Sequence, residues 1–90
     1  MWLIRGSNPL LPAMKEIDLH GMTHKEAIEF TENWILLESH RNELFNCRII
    51  TGNSYRLQDK IIKQVLDKHK FEWFISPWNL GQIIVTFNYD

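Results

Sequence analysis

Cys47 is the only cysteine in the chain. That excludes an internal disulfide framework and a cysteine-built zinc site. A lone thiol inside the β-branched run CRII reads as a small buried hydrophobe rather than a reactive group. No apolar run approaches the roughly 20 residues needed to span a bilayer. The opening MWLIRGSNPLLP has too short an apolar stretch and the wrong charge layout for a secretory signal. A cytoplasmic domain with no membrane partner is the expectation. A strong charge of one sign is also missing: 10 Lys and Arg stand against 11 Asp and Glu, for a net charge of −1. The general basic surface of a nonspecific nucleic-acid binder is therefore absent, and any such contact must come from a local patch. Residues 1–45 carry seven acidic and four basic side chains, residues 46–90 four and six; the shift is too small to carry a function. Solenoid repeats and low-complexity tracts are absent as well.

What is present is enough for one small core. Ninety residues leave no room for a second domain. With 44% apolar residues, four Trp and five Phe, the chain can bury a sheet and a pair of helices, which argues against disorder. Residues 1–15 read as an extended leader with turn signals at Gly6, Ser7, Asn8, Pro9 and Pro12. Its Trp2, Leu3, Ile4, Leu10 and Leu11 are too apolar for a free tail, so it is expected to lie across the domain or against a partner. Residues 16–90 form the domain itself.

The domain is organised around IDLHG, residues 17–21. Read as a strand, residues 17–20 put Ile17 and Leu19 on a core face and Asp18 and His20 together on the other. Gly21 permits a tight turn, and Thr23-His24-Lys25-Glu26 has the S/T-x-x-E spacing of a capping box. The spacing then predicts a helix over 23–40, with Ala27, Phe30, Trp34 and Leu37 as its apolar stripe, Thr31 and Ile35 broadening it, and Lys25, Glu29, Glu32 and Asn33 on the other faces. Residues 47–50 read as a strand ending in the turn cluster TGNS, where Asn53 or Ser54 can cap the next helix. That helix, about 55–69, buries Leu57, Ile61, Val65 and Leu66 with Ile62 beside them, and turns Gln58, Asp59, Lys63 and Asp67 outward. FEWFISPW and GQIIVTF close the chain as a hairpin-like pair around Asn79, Leu80 and Gly81. Pro77 is expected where its nitrogen owes no ladder hydrogen bond. The order is βαβαββ. Right-handed crossovers place both helices on one face of a four-stranded sheet and bring the IDLHG and TGNS turns to one edge.

That edge is where chemistry is expected. A glycine-containing turn before a helix start favours an anion such as phosphate. Gly52 allows close approach, the amides of residues 52–54 can receive the phosphate, and Arg56 or Lys60 can add charge. Asp18 and His20 can orient a water, transfer a proton, or hold a metal that bridges to phosphate. The plainer readings stand beside these: TGNS as a capped turn, and His20 as a structural hydrogen-bonder. His20 and His24 are four apart, but a glycine turn separates them, so they are not expected to converge on a metal. His40 and His69 read as helix-dipole partners. Trp73, Phe74 and Trp78 can stack on bases; strand alternation assigns most of them to the core, and Trp78, beside Pro77, is the best candidate for exposure.

IDLHGMTHKEA resembles the opening motif of the Smr (small MutS-related) domain, usually LDLHG-x-x-x-x-EA. The likeness continues through a strand ending in TG, an amphipathic helix and a closing strand pair. The family's second motif is H/T-G-x-G; here Thr51, Gly52 and Asn53 are followed by Ser54 in place of the second glycine. The resemblance implies an α+β fold, a two-layer βαβαββ sandwich whose four-stranded mixed sheet carries two helices on one face, as in the C-terminal domain of a bacterial translation initiation factor. It implies binding of RNA or DNA, and endonuclease activity (phosphodiester hydrolysis or transfer) of the kind several members show. It maps Asp18 and His20 to the D-x-H positions, and Thr51 and Gly52 to the second motif. It makes no cofactor certain; a divalent metal, Mg or Mn, is compatible. The alternative is a noncatalytic module that docks on a protein or ribonucleoprotein through residues 2–11. A small phosphorylated ligand at the TGNS turn is a third reading.

Overall fold

Helix α1, His24–Arg41, starts where its capping box places it. The Thr23 N–H donates to Glu26 Oε1 at 3.0 Å, and the Glu26 N–H donates back to Thr23 Oγ1 at 3.1 Å, so two orphan donors of the first turn satisfy each other's residues. The computed structural model describes residues 14–41 and 44–88, so residues 1–13 of the expected 1–15 leader, with their expected contacts, lie outside the described residues, while its last residue, Lys15, opens the first strand. Within them the order is β1 Lys15–Asp18, α1, β2 Leu44–Ile50, α2 Tyr55–Ile61, β3 Glu72–Ile75 and β4 Gln82–Asn88. A π-helical turn, Ile62–Leu66, continues α2 without a break.

The sheet order is β1-β2-β4-β3. Strands β1 and β2 are parallel, with Ile17 opposite Ile49, and β4 runs antiparallel to both β2 and β3. This is the mixed four-stranded sheet of an α+β fold, with the helices packed against each other on one face. Ile17, Cys47, Ile49, Ile83 and Val85 from the sheet meet Ala27, Ile35, Leu57, Ile61, Val65 and Leu66 from the helices. Burial pushes the Cys47 thiol up to about 12, the behaviour of an inert core residue. Among the described residues no helix is long and apolar enough to cross a membrane.

The face that α1 buries differs from the expected one. Ala27, Thr31, Ile35, Glu38 and Ser39 are buried, while Phe30 and Leu37 are 42% and 55% exposed and Trp34 is half-buried against the core. The helix is rotated so that Glu38 faces inward, where Lys15 of β1 reaches it at 2.5 Å. Two charges that neutralise each other can occupy a position that hydropathy would reserve for leucine.

In α2 the apolar stripe is as expected and Asp59, Lys63 and Asp67 are exposed, but Gln58 is buried. The helix ends in a Schellman arrangement. The Phe71 N–H donates to Leu66 O and the Lys70 N–H to Asp67 O, with Lys70 at φ 62° where glycine is the usual choice. Near that end, His69 Nε2 and Lys68 Nζ hold Glu32 Oε2 of α1 at 2.7 and 3.1 Å. The His69 hydrogen bond first, then that of Lys68, keeps the Glu32 carboxyl below its usual value of 4.5. Its contribution is therefore complete above that pH and is lost as pH falls through the lowered value.

Candidate functional site

Because β1, β2 and β3 run the same way, three connections share one edge of the sheet: the turn after β1, the turn after β2, and the loop from β3 to β4. Strand β1 ends at Asp18 rather than His20, so His20 lies in a turn and not on a strand face. Asp18 Oδ1 accepts from the His20 N–H at 2.9 Å. The Met22 N–H donates to Leu19 O at 3.1 Å, with Gly21 at φ 84° in the third position. A turn with that conformation at its third residue asks for glycine. The Leu19 N–H donates to Ile50 O at 3.0 Å and ties this turn to the end of β2. Asp18 thus spends one carboxylate oxygen on shaping the turn. His20 is exposed, and its ring has no hydrogen-bond partner among the described residues.

The turn after β2 is built differently. Gly52 sits at φ 68°, a left-handed conformation that other residues enter at a cost. The N–H groups of Thr51 and Gly52 both donate to Gly81 O, at 2.9 and 3.1 Å, and the Thr51 hydroxyl lies 3.1 Å from the same oxygen. From α2, Gln58 Nε2 donates to Thr51 Oγ1 at 2.9 Å and to Leu80 O at 2.6 Å. A Cβ on Gly81 would lie 2.9 Å from Gly52 O. Gln58 and Gly81 therefore lock the second turn onto the β3–β4 loop, and neither stands out in the sequence as part of a site. For Gln58 a signal exists: it lies three residues before Ile61 and seven before Val65, on the stripe that faces the core.

This bracing corrects one expectation. The Gly52 amide is already donated to Gly81, so it is not open to a phosphate. The N–H groups of Asn53 and Ser54 have no partner among the described residues, nor do those of Tyr55 and Arg56 in the first turn of α2. Ser54 is the N-cap, at φ −89° and ψ 99°, and its Oγ accepts from the Leu57 N–H at 3.2 Å. Where the family pattern has a second glycine, this backbone does not require one. The serine side chain faces its own helix and keeps its hydroxyl proton free to donate.

The basic residues divide between two places. Arg56 is exposed on the first turn of α2. Lys60 turns instead toward α1, with its Nζ 3.2 Å from His24 Nδ1. It lines a groove of about 360 Å³ with His24, Lys25, Ile28, Glu29 and Gln64. Among the described residues no three His, Cys, Asp or Glu side chains gather closely enough to hold a metal ion. Of the aromatics, Trp73 is half-buried and donates from Nε1 to Asp67 Oδ1 at 2.9 Å. Phe74 is half-exposed rather than core, and Trp78 is 89% exposed at the loop tip.

An edge carrying D-x-H on one turn and T-G on the next, above this βαβαββ sheet, defines a class. The Smr domain family model matches residues 17–76, and the chain belongs to that family. Smr domains generally bind nucleic acid and are often nuclease-associated. No curated protein and no solved structure matches the chain.

Proposed function

We propose that this domain binds RNA or DNA along the edge formed by the three connections, and that it cleaves the bound strand with His20 as the proton-transfer group. The reading is carried by one observation. An exposed imidazole lies on the turn beside a braced glycine turn, and neither that ring nor the amides of Asn53 and Ser54 have a hydrogen-bond partner among the described residues. Phosphate oxygens accept from the Asn53 and Ser54 N–H groups, from the Ser54 hydroxyl and from Arg56. Thr51 and Gly52 support that contact by fixing the turn. Lys60, one helical turn further on, meets the strand where it runs toward the groove with His24.

In the cleavage step His20 accepts the proton of the attacking oxygen, whether of water or of an RNA 2′-hydroxyl. The new O–P bond forms, the P–O bond to the leaving oxygen breaks, and that oxygen takes a proton from the imidazolium or from solvent. Asp18 is a positioning residue here, since its carboxylate holds the His20 backbone in the turn. One carboxylate with a single uncommitted oxygen and one imidazole fall short of a metal cage, so no step is routed through Mg²⁺ or Mn²⁺.

The test is cleavage of labelled single-stranded RNA, duplex DNA and supercoiled plasmid. The wild-type chain and an Asp18→Ala/His20→Ala variant are compared with Mg²⁺, with Mn²⁺ and with chelator. Cleavage of one substrate by the wild type, lost in a variant that still melts cooperatively, is the expected result. Equal cleavage by both would remove His20 from the mechanism. No cleavage and no salt-sensitive retention of any nucleic acid would leave the docking module as the better reading.

A further inference from the structure

The β3–β4 loop combines a pinned backbone with an exposed tip. The Ser76 N–H donates to Gln82 O at 3.0 Å, and the Gln82 N–H donates to Asn79 O at 3.1 Å. The Gly81 N–H donates to Asn79 Oδ1 at 2.9 Å. The carbonyls of Leu80 and Gly81 are held by Gln58, Thr51 and Gly52. On this fixed base the Trp78 indole is 89% exposed and Leu80 60%. Leaving an indole in water forgoes stabilisation that burial would give, and nothing in the loop's own hydrogen bonding needs a tryptophan there.

Its place gives it a use. The loop that carries Trp78 is bonded directly to the Gly52 turn. Immediately after that turn and its Ser54 cap, Tyr55 presents a second ring, 74% exposed. Two aromatic faces thus accompany the free amides of residues 53–54 and the guanidinium of Arg56. The His20 turn lies on the same edge, about 14 Å from β3 across three strand spacings. An apolar protein partner does not call for open amides and a guanidinium on the turn that holds this loop; a nucleotide, with a flat base and an anionic phosphate, calls for these and for a ring.

From this we infer that Trp78 is a base-stacking platform, and that the strand taken up at this edge is unpaired. The faces of paired bases are hidden inside a duplex, whereas single-stranded bases can splay onto an aromatic ring. The inference rests on the nucleic-acid reading given above and adds the substrate class: single-stranded RNA or DNA, or an unpaired stretch within a folded strand.

The measurement is binding of fluorescein-labelled 12-nucleotide single strands, RNA and DNA, and of blunt duplexes of the same sequences. The full chain is used as wild type, Trp78→Ala and Trp78→Phe, with thermal melts of each. Single strands should bind at least tenfold more tightly than duplexes. Trp78→Ala should weaken single-strand binding by about ten- to a hundredfold, the usual size of one lost base stack. Trp78→Phe, which keeps a ring, should stay within about threefold. Melting should not move, because the side chain is exposed. Tight single-strand binding left untouched by Trp78→Ala would overturn the platform while leaving nucleic-acid binding intact, and would free the loop tip for a protein contact. Duplex bound as tightly as single strand would overturn the substrate class. No binding by the wild type would overturn the underlying reading and this one with it.

Discussion

The two turns that form the centre of this edge are opposites. The turn after β1 is held by three hydrogen bonds among neighbours in sequence and to the end of β2, and its histidine points into solvent. The turn after β2 is bonded to a loop some thirty residues away and to a buried glutamine on α2. Gly21 and Gly52 themselves are alike, each at positive φ with open space where a Cβ would be. The difference is the partner loop, where Gly81 is needed because a Cβ would lie 2.9 Å from Gly52 O. In the function proposed above, one turn carries the group that reaches the ligand and the other the geometry against which the ligand is placed. Sites that pair a free reactive group with a rigid receiving surface need both.

Variants can break this contrast from either side. The largest effect is expected on the open turn and in chemistry alone. His20→Ala should cut the cleavage rate by roughly 10²- to 10⁴-fold, the usual worth of a proton-transfer group. It should leave the melting temperature within about 2 °C, since the ring is exposed and has no partner among the described residues. A large fall in stability would mean that His20 is structural. Gly81→Ala should do the reverse. The colliding atom is backbone and cannot swing away, so a loss of about 2 kcal/mol is expected. In a chain of this size that is a fall of roughly 10 °C in a thermal melt. Binding should weaken with it, because the Gly52 turn is displaced.

Gln58→Leu is the next step down. It keeps the volume near the core but leaves Leu80 O without its donor and removes the bond to Thr51, a loss of about 1 to 2 kcal/mol. On the open turn Asp18→Ala removes one exposed hydrogen bond and should cost only about 0.5 kcal/mol. Equal losses in chemical denaturation would abolish the distinction between a braced and an open turn.

The same contrast explains what could be read from the chain and what could not. Local rules place the capping box at Thr23 and Glu26, a cap at Asn53 or Ser54 and the glycine turn after β1, because each is set by residues a few positions apart; the handedness of the crossovers brings the first two turns to one edge. The exposure of Trp78 followed from its place beside Pro77. The face of α1 did not follow. Phe30 and Leu37 look like core by hydropathy, but Glu38 turns inward to meet Lys15, and that pairing joins residues on different elements. The bracing of the second turn was hidden for the same reason: Gln58 and Gly81 acquire their roles only when the β3–β4 loop comes to rest on the Gly52 turn. The open turn of the candidate site is local and legible; the bracing of its neighbour is tertiary.

The smallest expected effect concerns the departure in the second motif. Ser54→Gly restores the second glycine of the T-G-x-G motif. Since Ser54 has negative φ and its side chain caps α2, the change should relieve no strain and should cost only a few tenths of a kcal/mol, the usual difference between serine and glycine at an N-cap. Ser54→Ala loses the capping oxygen and should cost about 1 kcal/mol. Affinity for a single strand should change by less than about threefold in the glycine variant, because the hydroxyl that is lost contributes at most one neutral hydrogen bond to phosphate. A tenfold or greater gain in affinity or cleavage would show that the serine narrows the approach to Gly52, and that this turn owes its character to exclusion as well as to bracing.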